Sequence, residues 1–141
     1  MTITALGTLP VFNLSGTTTA NTGIRIRSDW NLPQAFIGRV DVCVFMLSAM
    51  TGTGTNHDSI PASSVIVNNG SIVSGTTSCG IANARQLSSQ IIFPNLGQSP
   101  KNRTVNGWTE DSLTVRLQGY PAALSPDMYT GVINLIVSAT Y

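Results

Sequence analysis

The chain has 141 residues, which suits one domain with a sizeable core, and only 9% of them are charged, against about 25% in an average soluble domain. Seven Lys plus Arg against six Asp plus Glu leave a net charge of +1, too few dispersed cations to neutralise many phosphates, so nucleic-acid binding through a basic face is excluded. Disorder is excluded by a hydrophobic content of 42% at near-zero net charge, and a membrane-spanning helix by the lack of any apolar run near ~18 residues.

Ser, Thr, Asn and Gly stand where charge would be; together they make up 56 of the 141 residues. Gly or Pro punctuates most stretches, and the segments between are rich in Val, Ile and Thr. That pattern predicts an all-β sandwich of short strands in a single domain spanning residues 1–141. Residues 6–14 form the first apolar segment, with Pro10 making it an edge, bulged or sheet-switching strand. A Thr-rich loop follows, and residues 23–30 then alternate, with Ile24 and Ile26 on one face and Arg25 and Arg27 on the other. Residues 39–47 are apolar on both faces, which predicts a central strand covered on both sides.

Residues 51–58 read as a polar loop. Asn68-Asn69-Gly70 between two Val/Ile runs is a hairpin signal. Residues 84–87 suit one helical turn and 90–93 a short strand, and 94–107 read as loop. Residues 111–118 alternate, with Leu113, Val115 and Leu117 inward. Residues 128–141 are the final strand, carrying Ile133, Leu135, Val137, Ala139 and Tyr141 on one face and Val132, Asn134, Ile136, Ser138 and Thr140 on the other.

The two cysteines, Cys43 and Cys79, are an even count in a chain poor in charge, which fits an oxidising compartment. Paired, they close a loop of about 37 residues, worth roughly 4 kcal/mol in the chain-entropy treatment. Two buried free thiols are the alternative. No Cys/His ligand cluster suggests zinc, and no cofactor is expected. The N-terminus has neither the basic region nor the apolar run of a signal peptide. With the cysteines, it is expected to be a mature domain carrying an added start Met.

Catalytic equipment is sparse, and no enzyme is expected. His57, Asp58 and Ser59 are adjacent loop residues and cannot adopt triad geometry; no Gly-x-Ser-x-Gly elbow exists. Glu110 and Asp111 point apart on a strand and are poor partners for glycoside hydrolysis. Thr51-Gly52-Thr53-Gly54-Thr55 has the look of a phosphate loop without the Gly-Lys-Ser/Thr that completes one. Trp30 and Trp108 could stack on a sugar, but packing is the commoner use.

The C-terminal strand stands out because termini are usually polar and frayed. A strand apolar on both faces is expected to be central and paired along both edges. Either the N-terminal segment folds back beside it, or another chain does.

Tyr120-Pro121-Ala122-Ala123 followed by the run from Met128 to Ser138 resembles the C-terminal motif of chaperone–usher pilus subunits. The closest flavour is that of the class 5 (alpha) colonisation-factor fimbriae. The cysteine pair departs from the cysteine-free major pilins there and is more like the minor tip adhesin, whose pilin domain falls in the pilus biogenesis initiator group. The resemblance is specific over about 20 residues and general elsewhere.

It implies an incomplete immunoglobulin-like sandwich that lacks its last strand. A periplasmic chaperone fills the groove first, and at the usher the N-terminal extension of a neighbouring pilin subunit replaces it as donor strand. On this sequence the groove would be Ile133, Leu135, Val137, Ala139 and Tyr141, faced by Leu9, Val11 and Leu14. The carboxylate of Tyr141 would anchor the chaperone. The short segment before Leu6 suits a domain excised from a tip adhesin, whose receptor site would lie on a separate N-terminal domain. In a whole subunit, Ile3 and Ala5 would belong to a brief donor strand. The expected place is an extracellular fimbrium reached through the periplasm, and the expected role is cell adhesion. A phage or viral capsid or decoration protein and a carbohydrate-binding module are the alternatives.

Overall fold

The computed structural model describes residues 2–5, 24–33, 36–68, 70–73, 75, 79–92 and 105–141. They form an all-β fold. Strand β1 is Thr2–Ala5, β2 Ile24–Asn31, β3 Gly38–Phe45, β4 Met50–Gly52 and β5 Ser59–Ile60. A 3-10 turn at Ala62–Ser64 leads into β6 Val65–Val67, followed by β7 Gly70–Ser71, β8 Ala84–Ile92, β9 Asn106–Leu113, β10 Val115–Leu117, β11 Tyr129–Thr130 and β12 Asn134–Thr140.

Two three-stranded antiparallel sheets hold most of the strand residues, in the orders β1-β2-β9 and β12-β3-β8. Smaller sheets, β10-β6-β7 and β11-β4-β5, extend them. One core cluster draws Ile24 and Ile26 from β2, Val42 and Val44 from β3, Val65 and Val67 from β6, and Leu113, Val115 and Leu117 from β9 and β10. A second gathers Trp30, Phe36, Val40 and Ile92. Each fully buried aliphatic side chain stabilises the fold by about 1.5–3 kcal/mol. These residues come from both large sheets, so their apolar faces are packed against each other, as the alternation at 23–30 and 111–118 predicts.

β3 is the central strand expected at 39–47. Val40, Val42 and Val44 enter the core, while Asp41 and Cys43 on the opposite face are also wholly buried. The disulfide Cys43–Cys79 forms, with Cα atoms 6.4 Å apart, and pins the stretch before β8 to that second face. Asp41 accepts hydrogen bonds from Arg39 Nε at 2.8 Å and Gln86 Nε2 at 3.3 Å.

Several expectations are corrected. Residues 84–87 are not a helical turn but the start of the nine-residue strand β8. Ala, Arg, Gln and Leu are good helix formers, but pairing with β3 overrides that preference. The ladder slips between Val42, opposite Ser88, and Cys43, opposite Gln86. Leu87 is thus the extra residue of a bulge, which breaks the period-two signal. Asn106 and Gly107, at the end of the expected loop 94–107, are not loop: they begin β9 and pair along β2, with Asn31 opposite Asn106 and Trp30 opposite Gly107. The loop expected at 51–58 contributes residues to β4 and, beyond it, leads into β5. The final strand divides into β11 and β12. The apolar segment 6–14, with Leu9, Val11 and Leu14, lies outside the described residues.

Asn68 knits the hairpin to the β9–β10 junction. Its Oδ1 accepts the Thr114 N–H at 2.9 Å and hydroxyl at 3.0 Å, and its Nδ2 donates to the Ser112 carbonyl at 2.8 Å. Asn68 sits at φ 46°, a left-handed conformation that Asn tolerates better than most residues.

Candidate functional site

β12 pairs with β3 through seven consecutive residues, from Asn134 opposite Phe45 to Thr140 opposite Arg39. Cross-strand partners share a face, so Leu135, Val137 and Ala139 lie on the core face with Val44, Val42 and Val40. Ile133, Leu135 and Val137 pack on the first core cluster, and Val137 and Ala139 on the second. Of the sequence-derived set, Ile133, Leu135, Val137 and Ala139 are thus brought together over one apolar surface, while Leu9, Val11 and Leu14 lie outside the described residues.

This surface is incompletely covered. All seven residues of β12 are only part-buried, whereas Val40, Val42 and Val44 are at most 1% exposed. Among the described residues β12 has a ladder on one edge only; the segment 6–14, one of the two partners expected for its other edge, lies outside the described residues. β1, the edge of the other large sheet, lies alongside β12 without forming a ladder to it. Tyr141 is 88% exposed and touches the core through its ring, 4.7 Å from that of Phe36. Val132 and Leu47, just beyond the ladder's end, are also exposed.

The far side of the sandwich differs in chemistry. There Ser88 Oγ of β8 donates to Asp111 Oδ2 of β9 at 2.8 Å, and Arg85 Nη2 donates to the Asn68 carbonyl at 3.1 Å. Burial pushes the Asp111 carboxyl above the ordinary carboxylate value, against the opposing effect of the Ser88 hydrogen bond. One lateral seam is thus bridged by polar contacts, while the seam at β12 presents partly wetted aliphatic carbon.

The weighed catalytic and binding groups do not converge. His57 is exposed at φ 49°, and Asp58 Oδ2 accepts the Ser125 N–H at 2.9 Å. Glu110 is exposed, whereas Asp111 is part-buried and meets Ser88. Trp30 is 3% exposed, so it belongs to the core and offers no sugar platform. Arg27 lies over the ring of Trp108, 4.7 Å from its centroid, which covers one stacking face. The sequence reading missed the bonds between residues 53–58 and 125–128; the signal for them was the pairing of Asp58 and Asp127 with Gly- and Ser-rich stretches.

Comparison with protein-family models, with curated proteins and with solved structures finds no match for this chain.

Proposed function

We propose that this is a structural assembly domain completed by strand addition: an immunoglobulin-like pilin domain of a chaperone–usher fimbria, of the kind that anchors a tip adhesin. The observation that carries the reading is β12, whose apolar face overlies both core clusters but stays part-exposed, and whose second edge has no ladder among the described residues. An extended strand laid there would gain main-chain hydrogen bonds from the edge and burial from Leu135, Val137 and Ala139. A periplasmic chaperone, and then a neighbouring subunit at the usher, are the partners this implies. The Cys43–Cys79 disulfide supports passage through an oxidising compartment such as the periplasm, with an extracellular fimbrium as destination. The role is mechanical and adhesive rather than catalytic.

The test is to add synthetic peptides of alternating apolar residues to the purified protein and follow thermal unfolding and amide exchange. Binding to the folded state alone raises stability by RT ln(1 + [L]/Kd), about 2.7 kcal/mol at a hundredfold excess over Kd. The expected result is a higher melting temperature with slowed exchange confined to β12. An unchanged melting temperature together with β12 amides already fully protected would refute the reading.

A further inference from the structure

The loop between β4 and β5 and the segment that enters β11 hold each other by their carboxylates. Asp127 Oδ2 accepts the Gly54 N–H at 2.5 Å, and its Oδ1 accepts the Thr53 hydroxyl at 3.1 Å and the Met128 N–H at 2.6 Å. In return, Asp58 Oδ2 accepts the Ser125 N–H at 2.9 Å. Asn56 Nδ2 donates to Ser125 Oγ at 2.8 Å, the Tyr129 hydroxyl donates to the Ser125 carbonyl at 2.8 Å, and the Thr53 N–H donates to the Met128 carbonyl at 3.0 Å. The two segments are some seventy residues apart in sequence, and each supplies the anion that the other's backbone binds.

The loop is shaped around that anion. A Cβ on Gly52 would come within 2.6 Å of the Asp127 carboxylate, and one on Gly54 within 2.8 Å. Thr51-Gly52-Thr53-Gly54-Thr55, which has the look of a phosphate loop in sequence, here cradles a carboxylate of its own chain.

We infer that Asp58 and Asp127 form a reciprocal clasp that opens on protonation and releases the segment leading into β11 and β12. A protonated carboxyl loses acceptor strength and gains a donor, so it can no longer satisfy the N–H groups turned toward it. Both groups favour the ionised form. Asp127 is held below the ordinary value mainly by the Gly54 N–H, with help from the Met128 N–H, Thr53 and the charge of His57. Asp58 is held down by its hydrogen bonds to Ser125, against the opposing effects of burial and then of the charge of Asp127. Among the described residues Tyr129 is the remaining titratable neighbour; burial and the two carboxylates push its phenol up, away from the acid range.

Depressed folded values give a contribution that is present above the unfolded value of 3.8 and lost as pH falls through the folded values. The device therefore works in acid, and it does not depend on what occupies the edge of β12.

The experiment is an NMR pH titration of the whole chain with amide exchange, using the Val42 amide as reporter of global unfolding. On acidification the Gly54 and Ser125 amide protons should move upfield together with a midpoint below 3.8, while the Thr53 amide loses protection before Val42 does. Asp127→Asn and Asp58→Asn replace one acceptor oxygen with a donor, so at neutral pH each should speed exchange at Thr53 with Val42 unchanged. Amide shifts that stay constant through the acid range in folded protein, or Asn variants whose Thr53 exchange matches the parent, would overturn the clasp. Peptide binding at β12, measured separately, leaves this result unaffected either way.

Discussion

Val137 faces Val42 directly across the β12–β3 ladder, yet Val42 is wholly buried while Val137 keeps part of its surface in water. Two identical side chains on one sheet face thus report how the core is covered along its width. Cover is complete above β3 and thins at β12. Truncating each should separate the two environments. Val42→Ala should cost about 2 kcal/mol through lost burial and a residual cavity, and Val137→Ala under about 1 kcal/mol because water already reaches it. Urea denaturation measures both, and equal penalties would mean that β12 is as well covered as β3.

The disulfide joins wholly buried Cys43 to the part-buried Cys79 across 36 residues of chain. Replacing both with Ala should lower stability by roughly 4 kcal/mol, chiefly by freeing the unfolded chain. Comparison of oxidised protein with the double variant in denaturant unfolding checks this. A reducing agent should reproduce the loss in the parent and leave the variant unchanged.

Asp111 gives a pH dependence of the opposite sign to the clasp carboxylates. Burial raises its folded value above 3.8, so its ionised form is disfavoured in the fold. Its contribution improves as pH falls through the raised value and is least favourable at neutral pH. Asp111→Asn removes the charge and leaves a group that can still bond to Ser88. The variant should melt higher than the parent at pH ~7, and the difference should shrink toward pH ~4. A lower melting temperature at neutral pH would show that the charge itself is stabilising.

Asp41 is completely buried, while the Arg39 side chain that pairs with it is 48% exposed. Removing the arginine strands a buried carboxylate with Gln86 as its remaining side-chain donor among the bonds described above. Arg39→Met should therefore cost about 2–3 kcal/mol, and adding Asp41→Asn to it should restore part of that loss. A double variant less stable than Arg39→Met alone would contradict the account.

Much of the fold is legible in the sequence where burial alternates cleanly. Ile24 and Ile26 of β2 and Leu113, Val115 and Leu117 of β9 and β10 declare their inward face by spacing alone. β3 declares its central position by being apolar on both faces. What escapes has a local physical cause. The bulge at Leu87 interrupts the period of β8 at the end of its helix-forming residues 84–87. Asn106 and Gly107 carry turn chemistry, but Gly107 is needed because the ring of Trp30 occupies the space a Cβ would take. For the candidate site, the spacing from Ile133 to Ala139 shows which side chains share a face. Apolar residues on both faces of β12 point to pairing along both edges, of which the described residues show one ladder, to β3. The clasp is invisible to pattern because its two halves are short polar stretches far apart in the chain.

The unbroken seven-residue ladder between β12 and β3 has a mechanical consequence. Tension drawn along β12 loads all of its cross-strand hydrogen bonds together, in shear, rather than peeling them one at a time. β3 in turn resists displacement, because Cys43 near its centre is tied by a covalent bond to a different part of the chain. A pull transmitted through β12 is therefore met by the whole width of the sheet, and under force the strand should fail abruptly rather than creep.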